Sequence, residues 1–185
     1  MIESFMKILF ITGNPNKLRE AKEIMPEIEG CDIDLPEIQE LDTKKIIEEK
    51  LHEAIKQKPG MELIVEDQSL VINGMNGLPG PFIKWFDKAL KMEGLYNLAL
   101  KMGNQKTEAK TTIGYCNKSG EIHFFEATIK GKIVSPRGTI GWGWDFVFQP
   151  EGYEKTFAEM TMEQKNKLSM RTMALEKLKK YLKSK

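Results

Sequence analysis

The chain is poor in the residues that build disulfide frameworks, zinc sites and histidine-based active sites. Its 185 residues include two cysteines, Cys31 and Cys116, and two histidines, His52 and His123. The cysteines lie far apart without a C-x-x-C partner, which argues against a disulfide framework or a zinc site and fits a reducing cytosol. We expect the histidines, one on a predicted helix and one on a predicted strand, to be structural or surface residues.

Long apolar runs and an excess of one charge are also missing. No run approaches the roughly 20 apolar residues that span a bilayer. The apolar stretch near the start lacks the small-residue cleavage site of a secretory leader. The 28 Lys and Arg residues nearly balance the 27 Asp and Glu residues, for a net charge of +1. We therefore expect a cytoplasmic protein whose overall charge attracts neither nucleic acid nor a membrane.

Common nucleotide-binding and hydrolase motifs are absent as well. The chain contains no G-x-x-x-x-G-K-[ST], which excludes an ordinary P-loop. The stretch GTIGWGW lacks the order G-x-G-x-x-G and follows no strand–helix unit, and no G-x-S-x-G occurs.

Strand and helix patterns mix along the chain. Apolar runs with β-branched residues predict strands, a helical period predicts helices, and turn residues 117–120 predict a long hairpin. The mixture predicts a single α/β domain over 1–185 with antiparallel parts, in two lobes with a ligand cleft between them. The predicted strands are 7–12, a short one ending at Pro36, and 62–72; the predicted helices follow Asn14, cover 41–57, cover 82–102 with a break near 93–94, and follow Thr161.

The stretch TGNPNK, residues 12–17, joins the first predicted strand to a helix. Asn14 can cap that helix and Pro15 suits its first position. Backbone N–H groups at a helix start favour anions, Thr12 and Asn14 offer polar side chains, and Lys17 lies one turn into the helix. The residues alone support a phosphate site and a simple cap with a surface lysine equally well.

Carboxylates follow two predicted strands. Glu66 and Asp67 are adjacent, and adjacent strand residues point to opposite faces, so one can reach a cleft while the other is held in the structure. Glu37 follows Pro36. Carboxylates that converge with phosphate commonly bind Mg²⁺. Judged one at a time, each is as readily an ordinary strand-end acid.

Two tryptophans stand among glycines in GWGWDFVF, and a basic segment follows. Trp142 and Trp144 are either core residues or a stacking platform for a base. Lys165 and Arg171 lie on the next helical stretch. Arginine suits a keto oxygen beside a ring nitrogen acceptor, and the amine of adenine would be refused there.

These pieces, taken in order, resemble the inosine triphosphate pyrophosphatase (Ham1-like) family, and the eukaryotic branch in particular. The resemblance implies a mixed elongated sheet flanked by helices, two lobes with a central nucleotide-binding cleft, and a homodimer. It implies hydrolysis of the non-standard purine nucleotides ITP, dITP and XTP to monophosphate and pyrophosphate, with Mg²⁺ as cofactor and Mn²⁺ as an alternative. The matching segments are TGNPNK, DLPEIQE, VEDQSL, NGLPGPFIKWF, TTIGYC, GKIVSPRG, GWGWDFVFQPEGYEKTFAEM and KNKLSMR.

The resemblance also implies residue roles. Asp67 is the catalytic carboxylate, which activates water or binds metal, and Glu37 is a metal ligand. The implied substrate contacts are Thr12, Gly13, Asn14, Lys17, Lys50, Gln68, Lys84, Trp142, Gly143, Trp144, Asp145, Lys165, Met170 and Arg171.

Two departures from the family pattern stand out. Gln68 and Ser69 follow the catalytic acid where the family usually has Thr or Ser and then Gly or Cys. Met170 replaces the usual histidine, which exchanges a polar ring for a flexible apolar chain. The departures keep two alternatives open: a nucleotide-binding protein with weakened or lost activity, and a Maf-type pyrophosphatase of different base specificity.

Overall fold

The computed structural model describes residues 7–184. The first six residues of the predicted domain, at which a secretory leader would begin, and Lys185 lie outside the described part. The strands are β1 Ile8–Ile11, β2 Ile28–Cys31, β3 Glu62–Ile72, β4 Pro79–Gly80, β5 Lys106–Cys116, β6 Ile122–Ile133 and β7 Phe148–Pro150. The helices are α1 Pro15–Ile24, α2 Thr43–Gln57, α3 Ile83–Lys101, α4 Met162–Asn166 and α5 Met170–Lys183. Short 3₁₀ turns cover Asn73–Met75, Gly143–Phe146 and Phe157–Glu159.

The seven strands form one mixed sheet in the order β2-β1-β3-β5-β6-β7, with β4 beside β3. Strand β1 is parallel to both of its neighbours, with Leu9 opposite Glu29 on one side and Leu63 on the other. The β3–β4 and β6–β7 pairs are antiparallel. The predicted α/β class, with helices flanking a mixed sheet, is confirmed. Within residues 7–184, none of the helices has the length and apolar character to cross a bilayer.

The described chain divides into two compact units. The first comprises residues 7–67, 112–126 and 171–184, and the second comprises residues 68–111 and 127–170. Each unit draws on segments distant in sequence, and the prediction of a single pyrophosphatase domain stays a prediction.

The first unit has a core between α2 and the strands. Asp42 caps α2, because its side chain accepts a hydrogen bond from the Lys44 N–H. The apolar positions of α2 recur at a helical period, as predicted, and their side chains are buried against the sheet. Burial of one such side chain contributes about 1.5–3 kcal/mol. The core residues are Leu9, Ile11, Ile47, Leu51, Ala54, Leu63, Val65 and Cys116.

The second unit has an aromatic core. Trp144, Phe148 and Phe157 are buried, with ring centroids 5.1–6.2 Å apart in edge-on and tilted arrangements. Helix α3 carries the predicted break, but it occurs at Lys91, where φ is 57° and ψ is 174°. The break thus lies two residues before the predicted position.

The predicted strand ending at Pro36 is wrong. Strand β2 lies earlier, at Ile28–Cys31, and residues 32–42 contain no helix or strand. The reason is the length of its partner, because the four residues Ile8–Ile11 of β1 pair with Ile28–Cys31 one for one. Beyond Ile11 the chain turns into the Thr12–Asn14 loop, so no regular strand partner remains for the residues before Pro36.

A substitution of Gly114 tests the packing of α2 on the sheet. A Cβ atom at Gly114 would lie 2.2 Å from Ile47 Cγ2 and 2.8 Å from Leu51 Cδ1. We expect Gly114→Ala to lower the free energy of unfolding by about 1–3 kcal/mol, because overpacking displaces these side chains. Urea denaturation monitored by circular dichroism measures the change.

The matched control is the same substitution in an Ile47→Ala background, which removes the nearest obstructing atom. There the cost of Gly114→Ala should fall by at least half, because contacting residues are energetically coupled. An equal cost in both backgrounds would show that the clash with Ile47 is not the cause.

Candidate functional site

The loop after β1 is a capped helix start. The Asn14 side-chain oxygen accepts from the Asn16 N–H at 2.9 Å and from the Lys17 N–H at 3.4 Å, and the Thr12 hydroxyl oxygen accepts from the Asn14 N–H at 3.1 Å. A Cβ at Gly13 would lie 2.7 Å from Asp32 Oδ1, which is the end of an exposed side chain that can turn away. The predicted cap is present, and it engages the N–H groups of Asn16 and Lys17.

The Lys17 side chain reaches β3. Its ammonium lies 3.4 Å from Glu66 Oε1 and 3.5 Å from the Glu66 backbone oxygen, and its side chain is 19% exposed. The interpretation of Lys17 as a plain surface lysine is therefore wrong. Lys17 brings a positive charge to the strand that carries Glu66 and Asp67.

Arg171 lies at the start of α5 and is buried, with 2% of its surface exposed. Its Nε and Nη2 donate to the two carboxylate oxygens of Glu66 at 2.7 and 2.9 Å, and its Nη1 donates to Glu20 of α1. Both carboxylates are buried too. Such a bidentate, charge-assisted contact fixes the plane of the guanidinium. The predicted contact between Arg171 and a base stays a prediction, and these two carboxylates engage three of the guanidinium N–H groups.

Asp67 belongs to a second ionic group in the same unit. The Lys50 ammonium lies 3.0 Å from Glu37 Oε1 and 3.5 Å from Asp67 Oδ1. Lys50 is buried, whereas the Glu37 side chain is 43% exposed. Within residues 7–184, the buried Asp67 Oδ2 accepts no hydrogen bond. The carboxylates of Glu37 and Asp67 thus face the Lys50 ammonium, and Asp67 Oδ2 can still accept a hydrogen bond or bind a cation.

The adjacent carboxyl groups of Glu66 and Asp67 titrate differently. Burial by itself would raise the pKa of Glu66, but the charges of Arg171 and Lys17 outweigh burial and lower that pKa from 4.5 to about 2. Burial raises the pKa of Asp67 above its ordinary value, although Lys50 and Lys17 oppose the rise. Glu66 is therefore a permanent anion at neutral pH, while Asp67 binds a proton more readily than an ordinary aspartate.

In the second unit, Asp145 joins two predicted site residues. Its Oδ2 accepts from the Trp142 backbone N–H at 3.1 Å and from the Lys165 ammonium at 2.7 Å. Asp145 and Lys165 are both buried. The Lys165 ammonium also lies 5.6 Å from the centre of the Trp142 ring. The chain therefore brings Trp142, Asp145 and Lys165 together as one group.

The structure separates the two tryptophans of the GWGWDF stretch. Trp144 is 6% exposed and packs edge-on against Phe148, so it belongs to the core. Trp142 is partly exposed. Of the two roles that the sequence left open, Trp144 takes that of a core residue, and Trp142 alone of the pair offers a ring surface outside the core.

Three other predicted substrate contacts belong to the second unit, namely Gln68, Lys84 and Met170. Gln68 is buried and donates from its side-chain amide to the Thr111 hydroxyl at 3.2 Å. Lys84 is exposed at the start of α3, with its ammonium 5.8 Å from the centre of the Trp85 ring. Met170 is 2% exposed. The methionine in place of the family's histidine is thus a buried apolar residue.

Sequence reasoning missed Glu20 and left the function of Glu66 undecided. Glu20 sits next to Ala21 on the inward side of α1, and nothing in its local pattern distinguishes a buried carboxylate from an exposed one. Alternation along β3 did indicate that Glu66 and Asp67 face opposite ways, and their contacts with Arg171 and Lys50 respectively agree with that.

Metal ligands are sparse in the described part of the chain. Residues 7–184 contain no cluster of three or more His, Cys, Asp or Glu side chains placed to hold a metal ion. Glu37 and Asp67 form a smaller set of two carboxylates around Lys50. Such a pair suits a hard cation that completes its coordination with water and phosphate oxygens.

Comparison with known families matches nearly the whole chain. A model described as the Ham1 family matches residues 8–181. The inosine triphosphate pyrophosphatase of Schizosaccharomyces pombe is 42% identical over 181 residues, which cover 96% of this chain and 95% of that protein. The protein of the same name from Candida glabrata is 40% identical over 186 residues, covering 95% and 97% of the two chains.

Solved structures share the fold. The Ham1 protein of Staphylococcus aureus matches with a TM-score of 0.82 at 24% identity, over 96% of this chain and 98% of that one. A nucleoside-triphosphatase / dITP/XTP pyrophosphatase from Mycobacterium abscessus matches with a TM-score of 0.70 at 26% identity, over 94% and 98%.

The pH dependence of stability tests the Glu66–Arg171 contact. Because the folded-state pKa of Glu66 is about 2 and its ordinary value is 4.5, the contact contributes its full stability above pH 4.5. That contribution declines as the pH falls from 4.5 towards 2, by about 3 kcal/mol in total. Urea denaturation at a series of pH values between 7 and 2 measures the decline.

Glu66→Gln should be less stable than the parent at pH 7, because the buried Arg171 loses a charged partner. Its stability should also fall less steeply between pH 4.5 and 2. Glu29→Gln is the control, since it breaks an exposed Lys7–Glu29 ion pair of 2.7 Å in the same unit and should keep the parental slope. A parental slope in Glu66→Gln would contradict the assignment.

Proposed function

Because this chain belongs to the Ham1 family, we propose that it hydrolyses the non-standard purine nucleoside triphosphates ITP, dITP and XTP to the monophosphate and pyrophosphate. The observation that carries this proposal is the identity of about 40%, over almost the full length, with proteins named inosine triphosphate pyrophosphatase. The first unit supports the proposal, since Lys17 and Lys50 lie beside β3 together with Asp67, whose pKa is raised.

The triphosphate would be bound by the residues around the capped loop. A nucleoside triphosphate carries about four negative charges, and phosphoryl transfer depends mainly on positioning and on stabilisation of charge. We assign this task to Thr12, Gly13 and Lys17 in the loop, with Asn14 holding the helix start in place, and to Lys50 on α2. The contact between Lys17 and Glu66 orients the Lys17 ammonium before substrate binds.

Glu37 and Asp67 are the proposed ligands of Mg²⁺, with Mn²⁺ as an alternative. The donor set fits, because Asp67 Oδ2 is buried without a hydrogen-bond donor among residues 7–184 and both carboxylates already face a cationic group. Magnesium is usually bound through one or two carboxylates together with substrate phosphates. When bound, the ion would offset phosphate charge and favour attack at phosphorus.

Asp67 is the proposed general base. Its raised pKa lies nearer to neutrality than that of an ordinary aspartate, which improves proton transfer from water. The water oxygen would then form a bond to the α-phosphorus while the bond to the bridging oxygen breaks. Pyrophosphate leaves with the charge stabilised by Lys17 and Lys50.

The base would be recognised by residues of the second unit. Trp142 offers a ring surface, Gly143 follows it without a side chain, and Lys165 offers donors suited to a keto oxygen. Arg171 keeps its predicted role as a reader of the 6-keto group, and Glu66 and Glu20 hold its guanidinium as Asp145 holds the Lys165 ammonium. We propose a homodimer because the resemblance implies one, and a cytoplasmic location because the composition indicates it.

A substrate panel tests the proposed activity. With Mg²⁺, we expect pyrophosphate release from ITP, XTP and dITP at a kcat/KM at least tenfold above that for GTP, ATP and UTP. EDTA should abolish release, and added Mg²⁺ should restore it. A preference for UTP would favour a Maf-type enzyme. Binding of ITP without pyrophosphate release would favour a nucleotide-binding protein that has lost activity.

Replacement of Asp67 separates chemistry from folding. We expect Asp67→Asn to lower kcat for ITP by at least a hundredfold, because the base and a metal ligand are lost together. Its free energy of unfolding should stay within about 1 kcal/mol of the parent or rise, since a raised pKa means that the buried carboxylate anion costs stability at neutral pH. Initial rates and urea denaturation provide the two measurements.

The adjacent Glu66→Gln variant is the contrasting case, because its principal loss should be stability. Hydrolysis of ITP by Asp67→Asn at the parental rate would refute the assignment of the base.

A further inference from the structure

One oxygen atom of Asp145 accepts hydrogen bonds from two groups that are distant in sequence. Oδ2 lies 3.1 Å from the backbone nitrogen of Trp142 and 2.7 Å from the ammonium nitrogen of Lys165. Asp145 is 3% exposed and Lys165 is 6% exposed. Because a buried charge needs a paired partner, the contact restrains both side chains strongly. Asp145 therefore connects the backbone around Trp142 to helix α4.

Glycine residues lie on both sides of Trp142. Trp142 lies between Gly141, with a φ of 136°, and Gly143, with a φ of 56°. Glycine tolerates such conformations but leaves many others open. The Trp142 ring is partly exposed, whereas the neighbouring Trp144 is anchored in the core. The hydrogen bond from the Trp142 N–H to Asp145 is thus a specific restraint on where that ring lies.

The Lys165 ammonium lies close to two aromatic rings. It is 5.6 Å from the centre of the Trp142 ring and 5.5 Å from that of Phe157, both within cation–π range. A lysine side chain has four flexible carbons, so its ammonium needs a partner that selects one position. Asp145 provides that partner, and it sets the ammonium against the same Trp142 whose backbone it holds.

We propose that Asp145 is a positioning residue, which fixes the Trp142 ring and the Lys165 ammonium relative to each other so that they receive a purine base together. The inference rests on the proposed function for the identity of the ligand, and it changes the role predicted for Asp145 from a direct substrate contact. The Trp142 ring and the Lys165 ammonium would contact the base equally in the ground state and in the transition state. Loss of their positioning should therefore raise KM and leave kcat nearly unchanged.

Gly141 provides a second way to disturb the same geometry. A Cβ at this position would lie 2.8 Å from Asp145 Oδ2 and 2.9 Å from Asp145 Cβ. Gly141→Ala therefore crowds the carboxylate and strains the backbone beside Trp142, because φ at Gly141 is 136°, while every charged group of the site remains. Asp145→Asn does the converse, since it keeps the shape and removes the charge.

The experiment compares these two variants with the parent and with Glu163→Gln. Glu163 forms an exposed 2.7 Å ion pair with Lys167 on the same helix, α4, so its loss is a matched control. For each protein, KM and kcat for ITP are measured with Mg²⁺. The indole N–H signals of the three tryptophans are recorded by NMR, with Trp142→Phe used to assign the signal of Trp142.

We expect both site variants to raise KM at least tenfold with kcat within threefold of the parent, and to shift the Trp142 indole signal while the Trp85 signal stays in place. Glu163→Gln should match the parent in every measurement. A lower melting temperature with an unchanged KM would overturn the proposal in favour of a purely structural ion pair. A hundredfold loss of kcat at constant KM would overturn it in favour of a direct part in the chemistry.

Failure of the proposed function is distinguishable. If the parent releases no pyrophosphate from ITP, the substrate assignment fails, and the indole signals alone decide about Asp145. A shifted Trp142 signal in both variants would support positioning. An unmoved signal in both variants would refute it.

Discussion

The buried contact between Arg171 and Glu66 is the interaction on which the charge arrangement of the first unit depends. It joins the start of α5 to β3, and Glu20 brings α1 to the same guanidinium. Two anions around one buried cation would leave excess negative charge, and the Lys17 ammonium beside Glu66 offsets it. The cluster thus orders three helical or strand elements around a balanced set of charges, and removal of Arg171 would take from two buried carboxylates the guanidinium that they share.

The position of Asp67 follows from that of Glu66. Neighbouring residues of a strand point to opposite faces, so a Glu66 side chain held by Arg171 leaves Asp67 to point towards Lys50. The two carboxyl groups are one residue apart, yet their pKa values move in opposite directions. Glu66 has direct bidentate pairing with Arg171 and stays ionised. Asp67 has a longer contact with Lys50, which does not fully offset the desolvation that raises its pKa. Such a divergence between neighbouring acids is a common basis for assigning structural and proton-transfer roles.

The sequence predicted what depends on local pattern and missed what depends on distant partners. The helix 43–57, the hairpin around residues 117–120 and the Asn14 cap follow from periodicity and capping chemistry, and the structure contains all three. The strand before Pro36 was predicted wrongly, because its extent depends on the length of β1, which the local composition does not report. The contact of Glu20 with Arg171 spans 151 residues of sequence. No local rule predicts such a pair, whereas resemblance to a family could indicate the site residues without saying which of them contact each other.

The phosphate site proposed at residues 12–17 has one glycine, whereas phosphate loops usually have several. A glycine-rich loop presents many backbone N–H groups to an anion. Here the Asn14 side chain already accepts hydrogen bonds from the N–H groups of Asn16 and Lys17. In the proposed function, the attraction of this loop for the triphosphate would therefore come mainly from the Lys17 ammonium. That ammonium is oriented by Glu66, which Arg171 in turn holds. The charge presented by the loop is thus set by the buried cluster behind it, and a capped, rigid helix start can serve as the anchor for one well-placed lysine.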